Sequence, residues 1–306
     1  MTFYALFAEA EPVAAGLVDR HYSTTKEWFP HELVPYHRGR DFVPGVAWTE
    51  ADADVGGAQL SQAMRSALFV NLLTEDNLPY YFRDVERMFG TDGAYGEWGR
   101  RWTAEEGRHA IVIRDYLTVS RAIDPVDLER GRMAQVSRGE TPAPPNPLAG
   151  VIYLTLQELA TRVAHRNTGR DLGDQVGYDI MARVATDENL HFLFYRDLAT
   201  AILEMDPSAA VVQMEEVVRT FTMPGTGIPD FDKHAARIAQ AGIYNLLQHH
   251  DLVLAPVVLR HWKVEELTGL SAEAEQARDR MLKHIKRVQR LGQRVADRQA
   301  SAVVTS

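Results

Sequence analysis

The sequence predicts an all-helical protein built around a four-helix core. Three observations carry this. Apolar residues recur at helical spacing over four long stretches, roughly 61–89, 96–120, 148–168 and 174–204. No convincing run of alternating apolar and polar residues, the signature of a half-buried strand, interrupts them. The four stretches also carry the same arrangement of acids and histidine twice over, in the order that a metal-binding helical bundle uses.

The elements follow in order along a single 306-residue domain. Residues 1–60 read as an N-terminal arm. Its start, MTFYALFAEAEPVAAG, has no basic region and reaches Glu9 and Glu11 early, unlike a secretory leader. Residues 22–60 are polar and rich in Pro and Gly, as expected of a segment packed on the body. Residues 61–204 form the core. Glycine and proline at 90–93 and 139–147 punctuate the first three helices, 168–171 separates the last two, and Asp124-Pro125 opens a shorter helix. Residues 205–306 add helices near 208–220, 231–248, 250–262 and 271–300, with a loop at 223–231 where the sequence reads MPGTGIPDF.

Composition removes several kinds of chemistry. The chain has no cysteine, which excludes disulfides, thiolate catalysis, iron–sulfur clusters and cysteine zinc sites, and suits a reducing cytoplasm. A net charge of −9 argues against a general nucleic-acid binder. No uncharged apolar run approaches the ~20 residues needed to cross a bilayer, so a soluble protein is expected.

Two helices carry Glu-x-x-His: Glu106 with His109, and Glu188 with His191. Positions three apart lie one turn apart on nearly one face, so carboxylate and imidazole can share a metal. One such match in a charged helix is usually a solvated face. Here both lie on apolar stripes, Trp102–Glu106–His109–Ile113 and Val184–Glu188–His191–Tyr195, which point inward. Each is preceded by a lone acid in a similar setting: Glu75, in line with Leu68, Leu72 and Phe82, and Glu158, in line with Val151 and Leu154. The separations, 31 and 30 residues, nearly match. One Glu from each of two helices plus Glu-x-x-His from the other two is the ligand set of carboxylate-bridged dinuclear bundles. Four buried carboxylates would each cost several kcal/mol uncompensated, on the order of magnitude known for buried ions. Two divalent cations would neutralise them. Oxygen and imidazole donors without thiolate suit Fe(II) or Mn(II) better than structural zinc. His249-His250 is an isolated pair, expected at the surface of a helix end.

These segments resemble the soluble acyl-[acyl-carrier-protein] desaturases, the plant stearoyl type and its actinobacterial relatives. RWTAEEGRH, LLTEDNLPYY, QELATRVAHRNTGR and ATDENLHF are similar to that family's four ligand segments. The likeness extends to WFPHELVP (28–35), FTMPGTGIPDFD (221–232), IAQAGIY (238–244) and RHWKVEELTGLSAEAEQARD (260–279). The resemblance implies a ferritin-like fold, a homodimer, and a di-iron centre, with manganese as a substitute, held by Glu75, Glu106, His109, Glu158, Glu188 and His191. It implies electrons from a ferredoxin, O2 as co-substrate, and an acyl chain on acyl-carrier protein as the substrate to be desaturated. Thr161 matches the family's active-site threonine, though a helix threonine also bonds its own i−4 carbonyl. Trp28 and Asp187 match positions that lead from His109 toward solvent, an electron route; Trp28 alternatively anchors the arm. The carrier is acidic, so a basic docking face is expected, and Lys283, Lys286, Arg287, Arg290 and Arg294 offer one.

The first ligand segment departs from the plant pattern, reading TEDNLP for TEEALP, and Arg83, Asp84, Glu86 and Arg87 make the following helix more charged. Alternatives on the same scaffold are a di-iron oxygenase that hydroxylates or N-oxygenates another substrate, and a ferritin-like protein that handles iron or oxidant.

Overall fold

The computed structural model describes residues 3–57, 60–142, 144–225 and 227–304, so residues 1–2 and 58–59 of the expected arm, and 305–306 of the C-terminal extension, lie outside the described residues. The segment expected as an arm opens with a helix. Helix α1 (Phe3–Thr24) is 22 residues long and buries Leu6, Phe7, Ala10, Ala14, Leu17, Val18 and His21. That spacing of three and four is one apolar helical face, and it packs on the core. Only after Thr24 does the chain become irregular, with the single turn α2 (Pro30–Leu33) and tight turns at Tyr36–Arg38 and Glu50–Asp52.

The stretch expected as one helix over 61–89 is two, α3 (Gln62–Glu75) and α4 (Leu78–Phe89). Pro79 explains the break: it has no N–H to give the carbonyl of Glu75, four residues back, and its ring crowds that turn. The described residues continue as α5 (Gly93–Ser120), α6 (Pro125–Arg138), α7 (Pro147–Asp171), α8 (Gln175–Met205) and α9 (Pro207–Thr220). The expected helix at 231–248 is also divided, into α10 (Phe231–Gln240) and α11 (Leu246–His249). Gly242 turns the chain with φ +73°, and the Asn245 side chain then caps α11 through the amides of Leu247 and Gln248. From α11 the chain runs directly into a π-helical stretch, His250–His261, and ends in α12 (Ala272–Val304). There is no strand among the described residues.

Helices α3, α5, α8 and α7 pack in a closed ring, each against the next, which is the four-helix core of a ferritin-like fold. α1 lies across α5, α7 and α8; α4 bridges α5 and α7; α9 packs on α7 and α8, and α12 covers α9. Local chemistry fixes where the core helices start. Ser61 accepts from the Met64 amide at 3.1 Å, Asn146 from Ala149 at 2.9 Å with Pro147 at the first helical position, and Asp174 from Gly177 at 2.9 Å. Asp174 also accepts from the Tyr116 hydroxyl at 2.9 Å, tying the start of α8 to α5.

That junction leaves no room beside Gly177, where an added Cβ would stand 1.9 Å from Leu172 Cδ2 and 2.7 Å from the Tyr116 oxygen. Gly177→Ala is therefore expected to lower the unfolding free energy by about 1–3 kcal/mol, overpacking outweighing the gain in helix propensity. A urea titration with an unmoved or raised midpoint would contradict this.

Candidate metal centre

The ring of helices delivers six side chains to one place. Glu75 is the last residue of α3, Glu106 and His109 lie one turn apart in α5, Glu158 is in the middle of α7, and Glu188 and His191 lie one turn apart in α8. Donor atoms of Glu75, Glu106, His109 and Glu188 all lie within 4.8 Å of one another, as do those of Glu106, Glu158, Glu188 and His191. The two groups share Glu106 and Glu188. These two carboxylates therefore stand between two sites, each completed by one further Glu and one His. All six side chains are buried.

His109 Nδ1 is 3.2 Å from Glu106, 3.4 Å from Glu188 and 3.7 Å from Glu75. His191 Nδ1 is 2.9 Å from Glu106 and 3.5 Å from Glu158. Both Nδ1 atoms and Glu158 Oε2 are buried without a hydrogen bond of acceptable geometry. Unsatisfied lone pairs that converge in a dry core are rare unless something binds there. The donors are oxygen and nitrogen only, a set that can hold iron or manganese.

Electrostatics point the same way. Burial pushes Glu158 well above the usual carboxylate range, with Glu188 adding repulsion, and the same two causes raise Glu106. Burial also acts on Glu75 and Glu188, but the His109 imidazole beside them, and for Glu75 also the hydrogen bond from His165, hold both low. His109 and His191 resist burial and are raised well above their ordinary value by the surrounding carboxylates. The cluster thus draws positive charge to itself, which bound cations would supply.

A second layer repeats the symmetry. The acid just before each Glu-x-x-His reaches the histidine of the other helix. Asp187 stands 3.5 Å from His109 Nε2, and Glu105 lies 2.9 Å from His191 Nε2. Burial works against Asp187, yet its contacts with His109 hold it down at about 2. Each acid is anchored outward: Asp187 by the Trp28 indole at 2.8 Å and by Arg108 and Arg183, Glu105 by His21 at 2.9 Å and Arg101 at 2.5 Å. The Arg108 and Arg183 guanidiniums also lie over the Trp28 ring. The outer carboxylates have partners too, Glu158 with the Trp102 indole at 3.1 Å and Glu75 with His165 at 2.9 Å. Thr161 donates to Glu188 at 2.5 Å, and its oxygen also lies 3.1 Å from the carbonyls of Gln157 and Glu158.

Glu105, His21 and His165 carry no assignment from the sequence, and Trp102 enters only as part of an apolar stripe. Glu105 had a signal, since Glu105-Glu106 and Asp187-Glu188 are matching acid pairs in the two motifs. His165 lies two turns beyond Glu158 on the same face. His21 had none, because its partner is 84 residues away. His249 and His250, expected at the surface, are buried. Tyr244 and His249 Nδ1 are 2.9 Å apart, and α12 covers this segment.

Two clefts, each offering about 640 Å3 of space that includes open solvent, meet at the cluster and share Thr74, Glu75, Thr161 and Pro224 in their walls. One runs along α4 past Leu78, Tyr81, Val85 and Met88. The other lies under α10. No helix among the described residues is long and apolar enough to cross a membrane.

The sequence profile of the fatty acid desaturase family matches residues 4–305. The chain belongs to that family. It is an enzyme family, and its members' names fit the cluster and cavities just described. The chain is 39% identical over 294 residues to DesA1 of Mycobacterium tuberculosis, assigned by name as an acyl-[acyl-carrier-protein] desaturase, covering 94% of this chain and 86% of that one. It is 29% identical over 295 residues to the chloroplastic stearoyl-[acyl-carrier-protein] 9-desaturase of spinach, Spinacia oleracea, covering 90% and 72%. Among solved structures, DesA2 of Mycobacterium tuberculosis superposes with a TM-score of 0.70 at 25% identity, covering 89% of this chain and 99% of that one. This desaturase-family chain therefore shares the all-helical fold of DesA2.

Glu105→Gln removes the charge behind His191 while keeping its size. It is expected to speed loss of loaded metal to a chelator by about 10- to 100-fold, the usual effect of removing such a partner. Unchanged metal retention would contradict the role given to Glu105.

Proposed function

We propose that this desaturase-family protein introduces a double bond into a saturated acyl chain carried on acyl-carrier protein, using O2 and two irons held by Glu75, Glu106, His109, Glu158, Glu188 and His191. The observation that carries this is the junction of two overlapping donor groups with two largely apolar clefts. Apolar residues such as Leu78, Val85, Met88 and Leu154 lining a cleft beside the cluster favour an organic substrate over the handling of iron alone. The reaction balances as one O2, two electrons and two protons from outside, and two hydrogens from adjacent methylenes, giving one C=C bond and two waters. The iron pair, when bound, supplies the oxidising power that side chains lack; manganese fits the same donors.

The remaining work falls to the chain itself. Leu78, Tyr81, Val85, Tyr153 and Leu154 hold the hydrocarbon and exclude water. Thr161, at the shared wall of both cavities and bonded to Glu188, is placed to hold a proton beside the reacting carbons. Trp28, Asp187 and His109 form the path by which a ferredoxin delivers electrons. The acyl chain enters from a surface groove between α9, α10 and α12 that holds Arg219, His284 and Arg287 and shares Met223, Ala235 and Tyr244 with the cavity under α10. Exposed Lys283, Lys286, Arg287, Arg290 and Arg294 give this face the charge that an acidic carrier needs. A homodimer acting in the cytoplasm completes the reading.

The test is anaerobic reconstitution with Fe(II), followed by O2, ferredoxin and a panel of saturated acyl-carrier proteins, with products read by mass spectrometry. An acyl product two mass units lighter is expected. A hydroxylated product, or none, would overturn the reading. In the same assay Lys286→Glu with Arg290→Glu is expected to raise KM for the carrier, and Trp28→Phe to slow turnover driven by ferredoxin more than turnover driven by a small reductant.

A further inference from the structure

The cavity along α4 is not apolar throughout. Its depth can be read from the helices that flank it. Leu78 stands beside Gly107, next to the ligand Glu106, whereas Val85 stands beside Gly99 and Met88 against Gly150. Gly99 and Gly150 lie seven and eight residues before Glu106 and Glu158. At 1.5 Å per residue the cavity therefore reaches about 10–12 Å away from the cluster.

At that depth the wall contains a carboxylate. Asp84 is buried and lines the cavity. One oxygen accepts from the Thr141 hydroxyl and the other from Arg83 Nε at 3.3 Å, with Arg83 itself exposed. Thr141, Pro142 and Pro144 come from the connection between α6 and α7, which closes this side of the cavity. The connection is fixed to α4 a second time, by the Asn77 amide donating to the Glu140 carbonyl at 3.0 Å. The Tyr80 ring fills the space over Gly139, 2.5 Å from where a Cβ would lie.

We propose that Asp84, held by Thr141, sets the upper length of the acyl chain, restricting the enzyme to chains whose methyl end stops before this pair. The inference rests on the desaturase reading above and names a substrate limit that reading leaves open. Each methylene laid against an apolar wall strengthens binding by about fourfold. A methylene laid against the Asp84 carboxylate gains nothing comparable, because it strips water from a charged group that has no use for a hydrocarbon partner. The connection that carries Thr141 is held in place immediately before the pair, at Gly139 and Glu140. Tyr81, one turn nearer the cluster, adds a buried hydroxyl close to Asn77 without a completed hydrogen bond, so polarity in the wall rises toward Asp84.

The test measures kcat/KM on saturated acyl-carrier proteins of increasing chain length for the iron-loaded wild type, Asp84→Leu and Asp84→Asn. In the wild type kcat/KM is expected to rise by up to about fourfold per methylene to an optimum and then fall. Asp84→Leu is expected to move the optimum at least two carbons longer. Asp84→Asn, close in size and still able to accept from Thr141, is expected to soften the fall beyond the optimum, and it carries the test if the Leu variant does not fold. The double bond, counted from the thioester, is expected to stay in place. Folded variants with the wild-type length profile would overturn the proposal. A double bond that moves while the optimum does not would also overturn it, since that reports a general loosening. A wild type that desaturates no chain removes the functional reading and this one together, whereas an active wild type with unmoved variants removes only the role of Asp84.

Discussion

Four carboxylates share one buried core, and that charge has to be neutralised from within. Glu75, Glu106, Glu158 and Glu188 are all buried, and their donor atoms fall into two groups with every member inside 4.8 Å of the others. An uncompensated buried carboxylate costs several kcal/mol, so four of them would consume much of the roughly 5–15 kcal/mol by which a domain is stable. The helices around them are accordingly long and heavily packed. The second layer of Asp187, Glu105, Trp102 and His165 is a consequence of the same constraint, since it fixes the direction in which each donor points.

The two halves of the core solve this problem in the same way, and the differences between them are where function enters. In both, an acid precedes the Glu-x-x-His pair and crosses to the opposite histidine. On one side that acid is tied to an indole flanked by two arginines, on the other to a histidine of α1. The first half is broken by Pro79 directly after Glu75, and the break lets α4 leave the bundle and form a wall of the cavity. The second half has no such break; α7 runs unbroken through Glu158 and supplies Thr161 and the facing wall. A proline in one repeat thus turns a symmetric cluster of carboxylates and histidines into one with a cavity at its side.

Much of this was legible in the residues. Inward-facing Glu-x-x-His on two helices, each with a lone acid about 30 residues before it, is enough to name the six side chains, because helical spacing determines which residues share a face. Helix α1 was equally legible by its spacing of Leu6, Ala10, Ala14 and Leu17, but it lies ahead of an irregular segment and was read with it as an arm. Pro79 signals the break at residues 76–77, but the apolar period from Leu68 to Phe82 points the other way, since it holds together only along a straight helix. Burial of His249 and His250 had no local signature. It follows from α12 covering the segment, a contact between residues far apart in sequence. The cavities are likewise tertiary, as each wall residue comes from a helix that would look ordinary alone.

Anaerobic titration of the metal-free protein with Fe(II), followed by equilibrium dialysis or calorimetry, tests the central claim most directly. Two ions per chain are expected, with the carboxylates and histidines giving up protons as each binds. A stoichiometry of zero, or a single ion whose binding is indifferent to loss of Glu106 or Glu188, would contradict a shared centre.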